Sequence, residues 1–165
     1  MPGPIQFRNL LQTLNKHAVD YIVVGGVSAI VRGAPVNTLD MDIVYSSDPA
    51  NLERLVEALE ELEAIYRAQF GRRLRPQVSH LAAGGHNLLT TRHGPLDVLG
   101  SIGNGRRYGD LIAHSTPVDF DGLVVQVLDL ETQIAVKEEA GREKDLAVLP
   151  ILRRTLEETR RQSSR

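Results

Sequence analysis

Apolar residues recur at Phe7, Leu10, Leu11 and Leu14, so the spacing predicts an amphipathic helix over residues 5–17. Tyr21-Ile22-Val23-Val24 is then a continuous apolar run cut off by Gly25-Gly26, the pattern of a buried strand leaving a sheet. A short helix is expected over 27–31, stopped by Gly33 and Pro35, and a second strand over 39–45. Ser47-Asp48-Pro49 reads as a helix start, with Ser47 or Asp48 as cap and the proline in the first turn. From there Leu52, Leu55, Val56, Leu59, Leu62 and Ile65 mark a buried face, while Glu53, Glu57, Glu60, Glu61 and Glu63 mark a solvated one.

Between residues 67 and 85 the pattern is broken by Gly71, Pro76, Gly84 and Gly85, and only one weak strand with loops is expected. Alternation returns at 86–91 and 95–99, two strands joined by a tight turn at Arg92-His93-Gly94. A short helix is expected over 108–114. Strands at 116–120 and 123–128 should form a hairpin, because Asp121-Gly122 suits a two-residue turn with positive φ. Asp129 caps a helix over 130–140, Gly141 breaks it, and a last helix runs over 142–160. The order of elements predicts an α/β (α+β) architecture: a mixed twisted sheet flanked by helices, with a core over 1–128 and a C-terminal helical segment over 129–165 packing on it.

One pair of polar positions conflicts with this pattern. Asp40 and Asp42 are set among Leu39, Met41, Ile43 and Val44 on an expected strand. Alternate side chains of a strand share a face, so the two carboxylates point the same way, with Cα atoms roughly 6.5 Å apart. Like charges so placed repel, and one would protonate unless a cation lies between them. A metal site is the simplest resolution; a solvated edge is the plain alternative.

Composition narrows the chemistry. The 165 residues are 42% hydrophobic, enough for one ordinary domain, and no apolar run approaches a bilayer span. Met1-Pro2-Gly3-Pro4 is not followed by an apolar signal segment, so a soluble, cytoplasmic protein without a membrane partner is expected. No cysteine is present, which leaves oxygen and imidazole as ligands. His17, His80, His86, His93 and His114 lack zinc spacing and read as ordinary polar residues, with His93, beside the turn before Asp97, the one that could touch a ligand. Gly-x-Ser-x-Gly, Gly-x-x-x-x-Gly-Lys and Gly-x-Gly-x-x-Gly motifs are all missing. Lys and Arg total 19 against 21 Asp and Glu, yet Arg67, Arg72, Arg73, Arg75, Arg92, Arg106 and Arg107 share residues 67–107 with Asp97 as the only acid. That basic middle either faces a polyanion or simply balances the acidic helix before it.

An apolar strand, Gly25-Gly26, and then Asp40-Met41-Asp42-Ile43 about a dozen residues later resemble the signature of the nucleotidyltransferase superfamily to which DNA polymerase beta belongs. The likeness extends to Asp97 in Gly94-Pro95-Leu96-Asp97-Val98, where a third acid is expected, and to Lys137, Arg142, Lys144 and Asp145. It is closest to small prokaryotic members, including nucleotidyltransferase toxins of abortive-infection systems, which implies an antitoxin or other protein partner. The resemblance implies transfer of a nucleoside monophosphate from a nucleoside triphosphate to an acceptor hydroxyl, with release of pyrophosphate. Asp40, Asp42 and Asp97 would be both metal ligands and catalytic groups, holding magnesium or manganese. Gly25 and Gly26 would let a phosphate approach the backbone, Ser28 would add a donor, and Lys137, Arg142 and Lys144 would bind the triphosphate. The acceptor would be RNA, such as a transfer RNA end; a protein side chain or a small molecule such as an aminoglycoside is the other possibility.

Each residue also has a plain role. Asp97 would pair with Arg92 or Arg106, Lys137 with Glu138 or Glu139, and Arg142 with Asp145. The second reading of the whole is a catalytically inactive module of the same fold that binds nucleotide, RNA or a protein. One departure stands out: such families often place an arginine four residues before the first acid, and this chain has Val36 there, with Arg32 as the nearest replacement.

Overall fold

The computed structural model describes residues 6–68 and 72–165. The expected start of the first helix at Ile5, the reading of Met1 to Pro4, and part of the weakly patterned stretch at 69–71 lie outside the described residues. Seven strands form one mixed sheet in the order β3-β4-β5-β2-β1-β7-β6. They are β1 Tyr21–Val24, β2 Met41–Tyr45, β3 Ile65–Tyr66, β4 His86–Thr91, β5 Gly94–Leu99, β6 Ser115–Phe120 and β7 Leu123–Leu128. The helices are α1 Phe7–Lys16, α2 Gly25–Val31, α3 Pro49–Glu61, α4 Val78–Ala82, α5 Tyr108–Leu111, α6 Leu130–Ala140 and α7 Glu143–Ser163. No helix among the described residues is long and apolar enough to cross a membrane.

Period-two alternation sorts the central strands onto two faces. Tyr21 and Val23 of β1, Met41, Ile43 and Tyr45 of β2, and Leu96 and Val98 of β5 join the main core, which α1, α3 and α4 cover. Ile22, Val24, Val44 and Leu99 point to the opposite face, where Leu111 of α5 and Leu128 close a much smaller cluster. Asp42 and Asp97 alternate with the main-core residues and so belong to this second, thinly covered face. Beside it, α2, α6 and α7 share their own apolar contact through Ala29, Ala34, Leu130, Ile134, Leu149 and Leu152.

Local sequence chemistry fixes the joints. Asp48 caps α3 by accepting from the Ala50 N–H at 3.0 Å, and Asp129 caps α6 by accepting from the Thr132 N–H at 2.8 Å. Asp121 and Gly122 adopt φ of 52° and 91°, the two positive values that a tight hairpin turn requires between β6 and β7. Two expectations need correction. Ile65 does not extend the face of α3: the helix stops at Glu61, Glu63 turns the chain with φ of 55°, and Ile65 pairs with Thr90 as part of edge strand β3. The weakly patterned stretch also contains a helix, α4, whose Leu81 is fully buried in the main core.

Candidate active site

The site is built where β1 becomes α2. Val24 stands opposite Asp42 on the antiparallel neighbour β2, and Asp42 stands beside Asp97 on the parallel neighbour β5. Gly25 then takes φ of 68° and opens α2 directly, so the glycine pair is the helix's first turn rather than a loop. A Cβ at Gly25 would collide with the Asp42 carboxylate, and one at Gly26 would lie 2.6 Å from Thr38 Cβ. Side-chain-free backbone is therefore what lets the strand carrying Asp42 press against the helix start.

Asp40 reaches the same place by another route. The strand begins at Met41, not at residue 39, and Asp40 lies in the bend before it, while Leu39 is 82% exposed. The expected alternation of Asp40 and Asp42 on one strand is corrected accordingly. Thr38 Oγ1 donates to the Asp40 carbonyl at 2.9 Å and holds the bend. Asp40, Asp42 and Asp97 each offer a carboxylate oxygen within 4.8 Å of the others. Convergence thus comes from a bend and a cross-strand register.

Electrostatics make this trio costly without a counter-charge. Burial, followed by the charge of Asp40, pushes the Asp42 carboxyl up to about 7, against the opposing pull of Lys137, Arg67 and Lys144. Asp42 Oδ1 is buried with no hydrogen-bond partner among the described residues. Asp97 pairs with Arg67, not with Arg92 or Arg106; Arg106 instead pairs with Glu139 at 2.6 Å. An orphaned buried oxygen among three converging carboxylates fits a hard divalent cation such as magnesium or manganese.

The carboxylates open into a cleft of about 710 Å³ whose lining includes Gly25, Gly26 and Thr38 as well as Lys137, Arg142 and Lys144 from α6 and the start of α7. Lys137 and Arg142 both contact Asp145, with Lys137 Nζ 3.1 Å from Oδ1 and Arg142 Nε 2.6 Å from Oδ2. Asp145 is fully buried; burial raises its pKa, but hydrogen bonds from Arg142 and Lys137 outweigh that and hold it below the ordinary carboxylate range. The expected pairing of Lys137 with Glu138 or Glu139 gives way to this shared buried acid. Lys144, exposed in the same lining, has no ion-pair partner among the described residues.

Three further expectations change. Ser28 is fully buried and donates to the Gly25 carbonyl at 2.6 Å, so its hydroxyl stabilises the glycine turn from behind instead of lining the cleft. Arg32 does not replace the missing arginine at position 36, because its guanidinium donates to the Val127 carbonyl at 2.6 Å, to the Leu128 carbonyl at 3.2 Å and to Thr116 Oγ1 at 2.7 Å. His93 meets Gln6 at 2.8 Å outside the cleft, and the histidine that lines it is His86. Neither His86 nor Leu88 is assigned to the site from the sequence, although strand alternation puts both on the face of Asp97: Leu88 is its cross-strand partner. The Arg67–Asp97 pair had no local signal, since thirty residues separate its members.

The architecture is the nucleotidyltransferase fold, as the sequence resemblance implied. Among solved structures, a Thermotoga maritima protein assigned as a nucleotidyltransferase superposes with a TM-score of 0.57 at 19% identity, covering 92% of this chain and 91% of that one. The lincosamide antibiotic adenylyltransferase LnuA with lincomycin bound gives a TM-score of 0.60 at 14% identity over 92% of this chain and 98% of its own. ANT(2'')-Ia in complex with adenylyl-2''-tobramycin gives 0.59 at 11% identity over 91% and 87%. No protein-family model matches the sequence, and no curated protein is similar to it in sequence.

Proposed function

We propose that the protein is a divalent-metal-dependent nucleotidyltransferase that moves a nucleoside monophosphate from a nucleoside triphosphate to an acceptor hydroxyl. The observation that carries this reading is the convergence of Asp40, Asp42 and Asp97 within 4.8 Å beside the side-chain-free turn at Gly25-Gly26. A magnesium or manganese ion held by the three carboxylates would offset charge on the phosphate oxygens and on the attacking oxygen. Gly25 and Gly26 line the cleft with no side chains of their own, the space a Cβ would take being filled by Asp42 and Thr38, and Lys144, with Lys137 and Arg142, gives the triphosphate a positive wall. The acceptor oxygen attacks the α-phosphorus, its proton passes to Asp97, and pyrophosphate leaves toward the lysines.

Two observations bear on the acceptor. Arg72, Arg73 and Arg75 are all exposed, which favours a polyanion such as RNA, and a transfer RNA end offers a free hydroxyl. LnuA and ANT(2'')-Ia, which share the fold over most of this chain, are antibiotic adenylyltransferases by name or by bound product, which favours a small hydroxylated acceptor. An inactive binding module is disfavoured because all three acids are kept and brought together. The test is incubation with each labelled nucleoside triphosphate and magnesium in the presence of total RNA, total protein, a lincosamide or an aminoglycoside. Label appearing in one acceptor and lost in Asp42→Asn supports the reading; label in none, from a protein that binds triphosphate, favours the inactive module. Growth arrest on expression, relieved by Asp42→Asn, would support a cytoplasmic toxin with an antitoxin partner.

A further inference from the structure

Of the three carboxylates in the cleft, one already holds a cation. Asp97 is ion-paired with Arg67, whereas among the described residues the Asp40 side chain bonds only with Thr38 Oγ1, at 3.5 Å, and Asp42 Oδ1 has no hydrogen-bond partner. The pair is a product of sheet register. Tyr66 of β3 stands opposite Leu89, so Arg67 follows opposite Leu88, to whose carbonyl its N–H donates at 3.1 Å. Leu88 is in turn the partner of Asp97, and Asp97 the partner of Asp42. Arg67, Leu88, Asp97 and Asp42 thus form one row across four strands, with the guanidinium reaching over β4 from the sheet edge. Two strand spacings amount to about 10 Å, a gap that an extended arginine and an aspartate close between them.

We propose that Arg67 is an internal counter-ion of the cation site, holding Asp97 while the site lacks metal and yielding the carboxylate when a divalent cation binds. The inference rests on the reading of Asp40, Asp42 and Asp97 as metal ligands. A guanidinium on the third ligand competes with an incoming dication twice, by occupying acceptor lone pairs and by like-charge repulsion. Its release costs little, because the Arg67 side chain is 33% exposed and its charge returns to water while the main chain stays anchored on Leu88. The site is thereby protected from the full repulsion of three carboxylates when metal-free, and its affinity for free cation is set below what the bare acids would give. The opposite role, in which Arg67 orients Asp97 for the metal, predicts the opposite sign.

The test is manganese binding to the full chain, followed by the loss of the free-ion paramagnetic resonance signal at fixed ionic strength. Arg67→Ala and Arg67→Gln are expected to bind manganese about tenfold more tightly than wild type, the value of one charge-assisted hydrogen bond. The gain should vanish when Arg67→Ala is combined with Asp97→Asn. Unchanged or weaker binding in folded Arg67 variants overturns the proposal, and so does a gain that persists without Asp97. Wild-type manganese binding that requires Asp42, with no gain in the Arg67 variants, removes the counter-ion role alone. Absence of any Asp42-dependent binding removes the metal-site reading as well.

Discussion

Asp42 and Asp97 stand in register on adjacent parallel strands, each projecting from the thinly covered face of the sheet. Their closeness has opposite consequences for folding and for catalysis. At pH 8, where the folded carboxyl is ionised, Asp42→Asn removes a buried like charge and keeps the shape, so the metal-free variant should melt higher, by about 3 °C for each kcal/mol of repulsion relieved. The same change removes a proposed metal ligand, and nucleotide transfer should fall by at least about 10³-fold. Calorimetry in chelator, paired with a labelled-transfer assay, checks both halves; a variant that is less stable and equally active would contradict the site.

The raised pKa of Asp42 gives the metal-free protein a pH signature. Unfolded, this carboxyl loses its proton near its ordinary value of 3.8; folded, it keeps the proton until about 7. Between those values the folded chain binds more protons than the unfolded one, so stability from this group is full at low pH and declines as pH rises through 7. Denaturant titrations in chelator should therefore show the stability advantage of Asp42→Asn growing from pH 5 to pH 8. Adding manganese at pH 8 should reverse it, because a bound cation favours the ionised carboxylate that asparagine lacks. An advantage that stays flat with pH would remove Asp42 as the titrating group.

Gly25 is the position with least tolerance in the site. A side chain there is opposed by φ of 68° and by the Asp42 carboxylate at once. Gly25→Ala should cost about 1–2 kcal/mol from the backbone alone, and more from the displaced acid. Denaturant unfolding and transfer assays should show a loss of activity larger than the loss of stability explains. Gly33, also at positive φ but with only Thr155 near its absent Cβ, is the control in which Ala costs stability without touching the carboxylates.

What was legible in the sequence follows from the range of the interactions involved. The run Tyr21 to Val24, the cap at Asp129 and the turn at Asp121-Gly122 are determined by neighbours within a few residues, and each element lies where the pattern places it. Asp40 and Asp42 were legible because they break an apolar pattern, whereas Asp97 was legible only through the family resemblance, which expects a third acid there. How they meet was not. Asp40 leaves the strand since Thr38 bonds back to its carbonyl, and Asp97 is matched to Asp42 by a strand register fifty-five residues away in sequence. The partners of the cations were equally non-local: Arg67 crosses a strand to Asp97, and Arg32 turns to the end of β7. Ser28 misled because helix spacing gives no sense of which side faces the cleft.

The three cations of the cleft should separate by their relation to Asp145. Lys137 and Arg142 neutralise that fully buried carboxylate, so removing either leaves part of a charge without compensation. Lys137→Ala should thus lower stability by about 2 kcal/mol and weaken triphosphate binding together, and Asp145→Ala should cost about 3 kcal/mol by leaving two cations unpaired. Lys144 is exposed and has no ion-pair partner among the described residues, while its charge already pulls on Asp42. Lys144→Ala should leave the melting temperature unchanged and raise KM for the triphosphate about tenfold, with a smaller effect on kcat. Lys144→Arg should restore most of the affinity, because charge is the requirement there. Melting curves and steady-state kinetics on the four variants decide the matter. A Lys144→Ala protein with unaltered KM, or one destabilised as much as Lys137→Ala, would show that the triphosphate does not lie along this wall.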